Sequence, residues 1–159
     1  METDVAVYLA DEQSVDVDTD DLLALARHVI DVRRVPPTME LALLLVDEQT
    51  ITELNREHMG KQGPTDVLAF PIDEPGETPP GAPSILGDVV LCPAVAHEQA
   101  PSFGREPHDE VRLLIVHGIL HLLGMDHADP VEEAAMFGTT DELLASYAAQ
   151  RAAGPGADT

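Results

Sequence analysis

Tryptophan is missing from this 159-residue chain, and aromatic residues make up only 3% of it. Any core must therefore be aliphatic, and 44% apolar residues are enough for one sizeable core in a single domain. Cysteine occurs once, as Cys92, which excludes an internal disulfide and suits a small buried apolar position. The amino end, Met1-Glu2-Thr3-Asp4, lacks the positive region of a secretory signal, and no apolar run reaches the roughly 18 residues of a membrane span. The expectation is a cytoplasmic protein with no membrane partner. Basic residues are scarce as well: eight Lys and Arg stand against thirty Asp and Glu, a formal net charge of −22. Such a surface repels phosphate backbones at long range, so sequence-independent binding of nucleic acid by the chain alone should be weak. The acid excess reads most simply as a means of staying in solution.

Histidine carries the chemistry. Residues 111–123 read as a buried helix, apolar almost throughout, free of proline, and preceded by Glu106, Asp109 and Glu110. His117 and His121 then share one helix face roughly 6 Å apart, close enough for two imidazoles to reach one metal ion. On an unbroken helix His127 would stand about 15 Å along the axis from His117 and about 80° around from it, too far for Zn–N bonds of about 2.0–2.1 Å. The helix must stop between His121 and His127, and Gly124 can end it in the left-handed conformation without steric penalty. Chance would place histidines at this spacing only about 1% of the time. Unpaired rings among Ile115, Val116, Ile119, Leu120, Leu122 and Leu123 would cost roughly 1–3 kcal/mol each. Three histidines with an open fourth position form the pattern of a catalytic zinc site, so we expect one Zn²⁺ per chain on His117, His121 and His127. Such a site lowers the pKa of a bound water toward about 7 and makes it a nucleophile.

The spacing also matches the metzincin proteases, H-E-x-x-H-x-x-G-x-x-H, but Gly118 stands where they need a general-base glutamate. The run His117 to His127, H-G-x-L-H-L-x-G-x-D-H, resembles instead the signature of the YbeY family of metal-dependent endoribonucleases. Two further blocks agree in order: Gly63-Pro64-Thr65-Asp66-Val67-Leu68-Ala69-Phe70-Pro71 resembles the family's K-P-T-D-V-L-S-F-P, and Leu86-Gly87-Asp88-Val89-Val90-Leu91 its L-G-D-I-x-I strand. The resemblance covers most of residues 5–150. It implies a single-strand-specific endoribonuclease of rRNA processing (16S rRNA 3′-end maturation) and ribosome quality control. Its implied partners are single-stranded rRNA and the small ribosomal subunit or its proteins, with no role for DNA. The chain departs from the pattern at one position. Many members carry an arginine in a block L-N-x-x-x-R, which here is Leu54-Asn55-Arg56-Glu57-His58-Met59, so Met59 takes the arginine's place, with Arg56 and Lys61 nearby. That departure and the acidic surface keep a second reading open, a metal-stabilised ribosome-assembly factor with little catalysis of its own. A zinc hydrolase acting on a small molecule is a third, minor reading.

Along the chain, strands are expected over residues 5–9, 39–46, 67–70 and 85–91. A helix capped by Asp18 or Thr19 runs to about Arg34, one capped by Asp47 to about His58, and one opened by Pro93 to Gln99. Residues 104–107 separate the last of these from the zinc helix. Pro130 starts a final helix ending near Ala152, and residues 153–159 read as a disordered tail after a single domain over 1–152. The order is that of an α+β domain, a mixed four-stranded sheet with helices packed on it and the metal-binding helix central, and the resemblance implies the same. Other polar residues are less specific. Asp126 either orients a ligand histidine or caps the turn after Gly124, and Asp88 either faces solvent by strand alternation or faces the site. Thr65 and Asp66 line a cleft or simply form a turn, while His58, His97 and His108 have no ligand spacing and are expected at the surface.

Overall fold

The computed structural model describes residues 6–77, 79, 81–126 and 128–157, the last four for their backbone alone. Its strands are β1 (Ala6–Asp11), β2 (Met39–Leu45), β3 (Val67–Pro71) and β4 (Ser84–Leu91). They form one sheet in the order β1-β2-β4-β3, with β1, β2 and β4 parallel and β3 antiparallel on the edge. Central β2 reads Met-Glu-Leu-Ala-Leu-Leu-Leu, the near-continuous apolar run of a strand covered on both faces. The helices are α1 (Thr19–Val32), α2 (Glu48–Met59), α3 (Pro93–Gln99), α4 (Pro107–Leu122) and α5 (Pro130–Ala157), with a short 3₁₀ turn at Ala100–Phe103 that the sequence did not signal. Asp18 and Asp47 cap α1 and α2 as expected, accepting from the amides of Asp21 and Thr50.

Alternation along β4 directs Val89 and Leu91 into the main core and Val90 to the other face of the sheet. The main core joins both to α1, α4 and α5, and its largest fully buried side chains are Leu, Ile and Met, the aliphatic filling that the aromatic-poor composition required. On the other face Ile51 of α2 packs with Val46, Leu68, Val90 and Cys92. Cys92 is the buried apolar residue expected, and burial pushes its thiol up. Asp88 follows the alternation onto this second face, away from α4, and is half-buried.

Helix α4 is the element the others surround. Val111, Leu114, Ile115, Val116, Ile119, Leu120 and Leu122 are all buried, and such an all-round apolar surface fits only the inside of a domain. It begins at Pro107, four residues before the sequence suggested, because proline at the first helical position loses no hydrogen bond. Asp109 and Glu110 therefore lie within its first turn. At the other end of the chain α5 continues to Ala157, past the domain end set at 152. Residues 148–153 (Ala-Ala-Gln-Arg-Ala-Ala) favour helix throughout, and Arg151 is tied to Asp21 and Tyr147, so the expected tail begins inside the helix. Among the described residues no helix is long and apolar enough to cross a membrane.

Candidate metal centre

On α4 the apolar surface is interrupted at three positions, Arg112, His117 and His121, which are half-buried where their neighbours are buried. His117 and His121 stand one turn apart on the same face, as the spacing required. Both residues are half-buried, with His117 Nε2 enclosed, and imidazole nitrogens are the donors that a divalent metal such as zinc takes. Among the described residues no three His, Cys, Asp or Glu are grouped to hold a metal, and His127, the third expected ligand, lies outside the described residues.

The helix stop is built from backbone alone. Gly124 has φ +95°, its N–H donates to His121 O at 3.0 Å, and the Met125 N–H donates to Leu120 O at 3.0 Å. These two bonds define a Schellman motif, which turns the chain off the helix axis directly after the second histidine. A Cβ on Gly124 would meet nothing within 4 Å, so any cost of substitution is conformational. Gly124→Val should cost about 1–2 kcal/mol through the backbone and lower metal affinity, although residue 124 is no ligand. Competition for zinc against a chromophoric chelator measures this, and an unchanged affinity would mean that the reversal does not depend on glycine.

Gly118 has a packing role that also settles the protease comparison. A Cβ there would stand 2.5 Å from Val89 Cγ1, so α4 lies directly on β4 and no glutamate side chain fits between them. Gly87, with φ +150°, is held just as closely: a Cβ would overlap the Phe70 carbonyl oxygen and reach within 2.8 Å of Leu122 Cδ2. These contacts clamp β3, β4 and the end of α4 together beside His121. The Phe70 side chain lies on the sheet face that carries α2 and stacks edge-on with the exposed His58 ring, 5.2 Å between centroids. Met59, the last residue of α2, is 51% exposed and is followed by Gly60 in the left-handed conformation.

Asp66 does more than form a turn. It accepts from the Val67 amide at 2.8 Å and from Gln99 Nε2 at 2.9 Å. Gln99 Nε2 also donates to Glu110 at 2.7 Å, and Arg105 donates to the other Glu110 oxygen at 2.9 Å. This chain of bonds fixes the start of β3 to α3 and to the first turn of α4. His108, expected at the surface, instead bonds Asp21 at 2.7 Å. His97 is half-buried with an enclosed Nε2, and only His58 of the three is exposed. Sequence reasoning also missed Phe137, whose ring lies 5.1 Å from that of His117. A rare aromatic in an acidic helix was the available signal.

A family model described as Endoribonuclease YbeY matches residues 8–148. This chain belongs to the YbeY family. Curated family members are similar over nearly their whole length. The Salinispora tropica endoribonuclease YbeY is 50% identical, covering 92% of this chain and 99% of that protein, and the Nocardioides one is 49% identical, covering 92% and 100%. A solution structure of a Thermotoga maritima protein has the same fold, with TM-score 0.62, 26% identity and 96% of both chains covered. The described part of the YbeY signature, residues 117–126, thus sits on α4 and its terminal turn, and the family's two other blocks contain β3 and β4, which the Gly87 and Gly118 contacts hold against that helix.

Proposed function

We propose that this chain is a single-strand-specific endoribonuclease of rRNA processing, acting at the 3′ end of 16S rRNA and in ribosome quality control, with one Zn²⁺ held by His117, His121 and His127. The observation that carries the reading is the half-buried histidine pair on a buried helix that ends, in a glycine-dependent reversal, directly after the second ring. Bound there, the ion would supply Lewis-acid stabilisation of charge developing at the scissile phosphate. The protein's own part is positional. The apolar packing of α4 fixes the two imidazoles, and the turn at Gly124 takes the chain off the helix axis directly after the second of them. Small-subunit ribosomal proteins, which are basic, are the partners suited to an acidic surface. Cleavage of single-stranded and duplex RNA, with and without a chelator, tests the reading. Cleavage confined to single strands and abolished by chelation is expected, and chelator-resistant cleavage would refute it.

The assembly-factor reading draws support from Met59 and from the charge. Of eight basic residues, Arg105, Arg112 and Arg151 are already engaged by Glu110 and Asp21. Isolated RNA should therefore be bound and cut poorly, and moderate salt should help. The Debye length falls from about 30 Å at 0.01 M to about 10 Å at 0.1 M, screening the acidic surface. Met59→Arg should raise cleavage by up to about fivefold, the worth of one exposed ionic contact. A steep fall in rate with salt, or no gain from Met59→Arg, would count against this account of the charge.

A further inference from the structure

We propose that Phe137 is a platform on which a nucleobase of single-stranded RNA stacks beside the metal centre, an inference that rests on the function proposed above. Helix α5 packs through a stripe of Met136, Thr140, Leu143 and Tyr147, all buried. Phe137 falls about 100° off that stripe and stays 42% exposed while its ring sits against His117. Of the three phenylalanines Phe103 and Phe137 are both exposed, and of these it is Phe137 whose ring lies against His117. Gly138 follows it with no side chain to cover the ring, and open space surrounds that position. Glu133 and Asp141, one turn to either side, are exposed and repel phosphate. This ridge therefore suits an uncharged base face, in a chain whose basic residues are too few to hold RNA by its backbone. A base in a duplex has both faces covered by its neighbours, whereas a single strand can turn one out, so the platform selects single strands.

The full-length protein, stripped of metal, is mixed with a single-stranded oligonucleotide carrying 2-aminopurine, whose fluorescence falls on stacking. Wild type should quench it. Phe137→Leu should lose the quenching and bind about 5- to 100-fold more weakly, and Phe137→Tyr should restore both. In the metal-loaded enzyme Phe137→Leu should raise KM while kcat stays near wild type. Wild-type binding by Phe137→Leu would overturn the proposal. So would a Phe137→Leu protein that loses metal yet binds the oligonucleotide normally, since the ring would then serve only to orient His117. Quenching retained in His121→Ala supports the platform even if the cleavage reading fails, which keeps the two apart.

Discussion

His121→Ala should leave a folded protein that holds no stoichiometric zinc and cleaves single-stranded RNA at least about a thousandfold more slowly than wild type. The size follows from what the ion contributes. Lewis-acid stabilisation of the transition state is worth several kcal/mol, and each 1.36 kcal/mol is a factor of ten in rate. The fold should survive because His121 lies half-buried in the last turn of α4, where the backbone bonds of Gly124 and Met125 close the helix without its side chain. His117→Ala should behave alike, since two remaining imidazoles hold a divalent ion far more weakly than three. Metal content per chain, a thermal melt and a cleavage time course are the measurements. A His121→Ala protein that keeps its full metal content would show that the ion sits elsewhere. If its cleavage equalled that of wild type, the activity would belong to a contaminant, and the assembly-factor reading would move ahead.

Local features were legible in the sequence wherever local physics decides them. The caps at Asp18 and Asp47, the apolar run of β2, the face shared by His117 and His121 and the glycine stop at Gly124 each depend on neighbours within a few residues. What could not be read depends on distant ones. The family resemblance located the second and third blocks, but only the folded chain shows that Gly87 and Gly118 are contact points between β3, β4 and α4. Asp21 stands with Asp20 in the first turn of α1, where any acid is favourable, and His108 has no ligand spacing to mark it. They meet across 87 residues of sequence, and no periodicity encodes such a pair. Phe137 similarly reads as an apolar residue of an amphipathic helix until α5 is laid against α4 and its ring is found beside His117.

Asp21 carries the other large effect, on stability and with a definite pH dependence. Its carboxylate is only 2% exposed and joins three helices: it accepts from His108 and Arg112 Nε of α4, both at 2.7 Å, and from Tyr147 OH at 2.7 Å and Arg151 at 3.2 Å of α5. Burial by itself would push the Asp21 carboxyl up. The hydrogen bonds from Arg112, Tyr147 and His108, with the Arg112 charge, outweigh burial and hold it well below the ordinary carboxylate range. A carboxyl lowered in the folded state stabilises the fold above its unfolded pKa near 4, and that contribution is lost progressively as pH falls from there toward the folded value. Asp21→Asn keeps the shape but turns an amide N–H₂ toward donors, leaving the half-buried Arg112 guanidinium without its counter-charge. Breaking a fully buried pair costs about 3–5 kcal/mol, and solvent at the guanidinium lowers that here to about the lower end, still a large part of the roughly 5–15 kcal/mol that holds a domain of this size together. The melting temperature should fall by about 10 °C or more at pH 7. Position 112 is about 13 Å along α4 from position 121, so the surviving folded fraction should keep its metal and its cleavage rate. Urea titrations of both proteins at pH 7, 5, 4 and 3 isolate the carboxylate, because every other acid is common to the pair. The stability gap should be widest at pH 7 and begin to narrow below about pH 4, shrinking further as pH falls toward the folded value. A gap that stayed constant down to pH 3 would mean that packing around residue 21, and not its charge, ties α1 to α4 and α5.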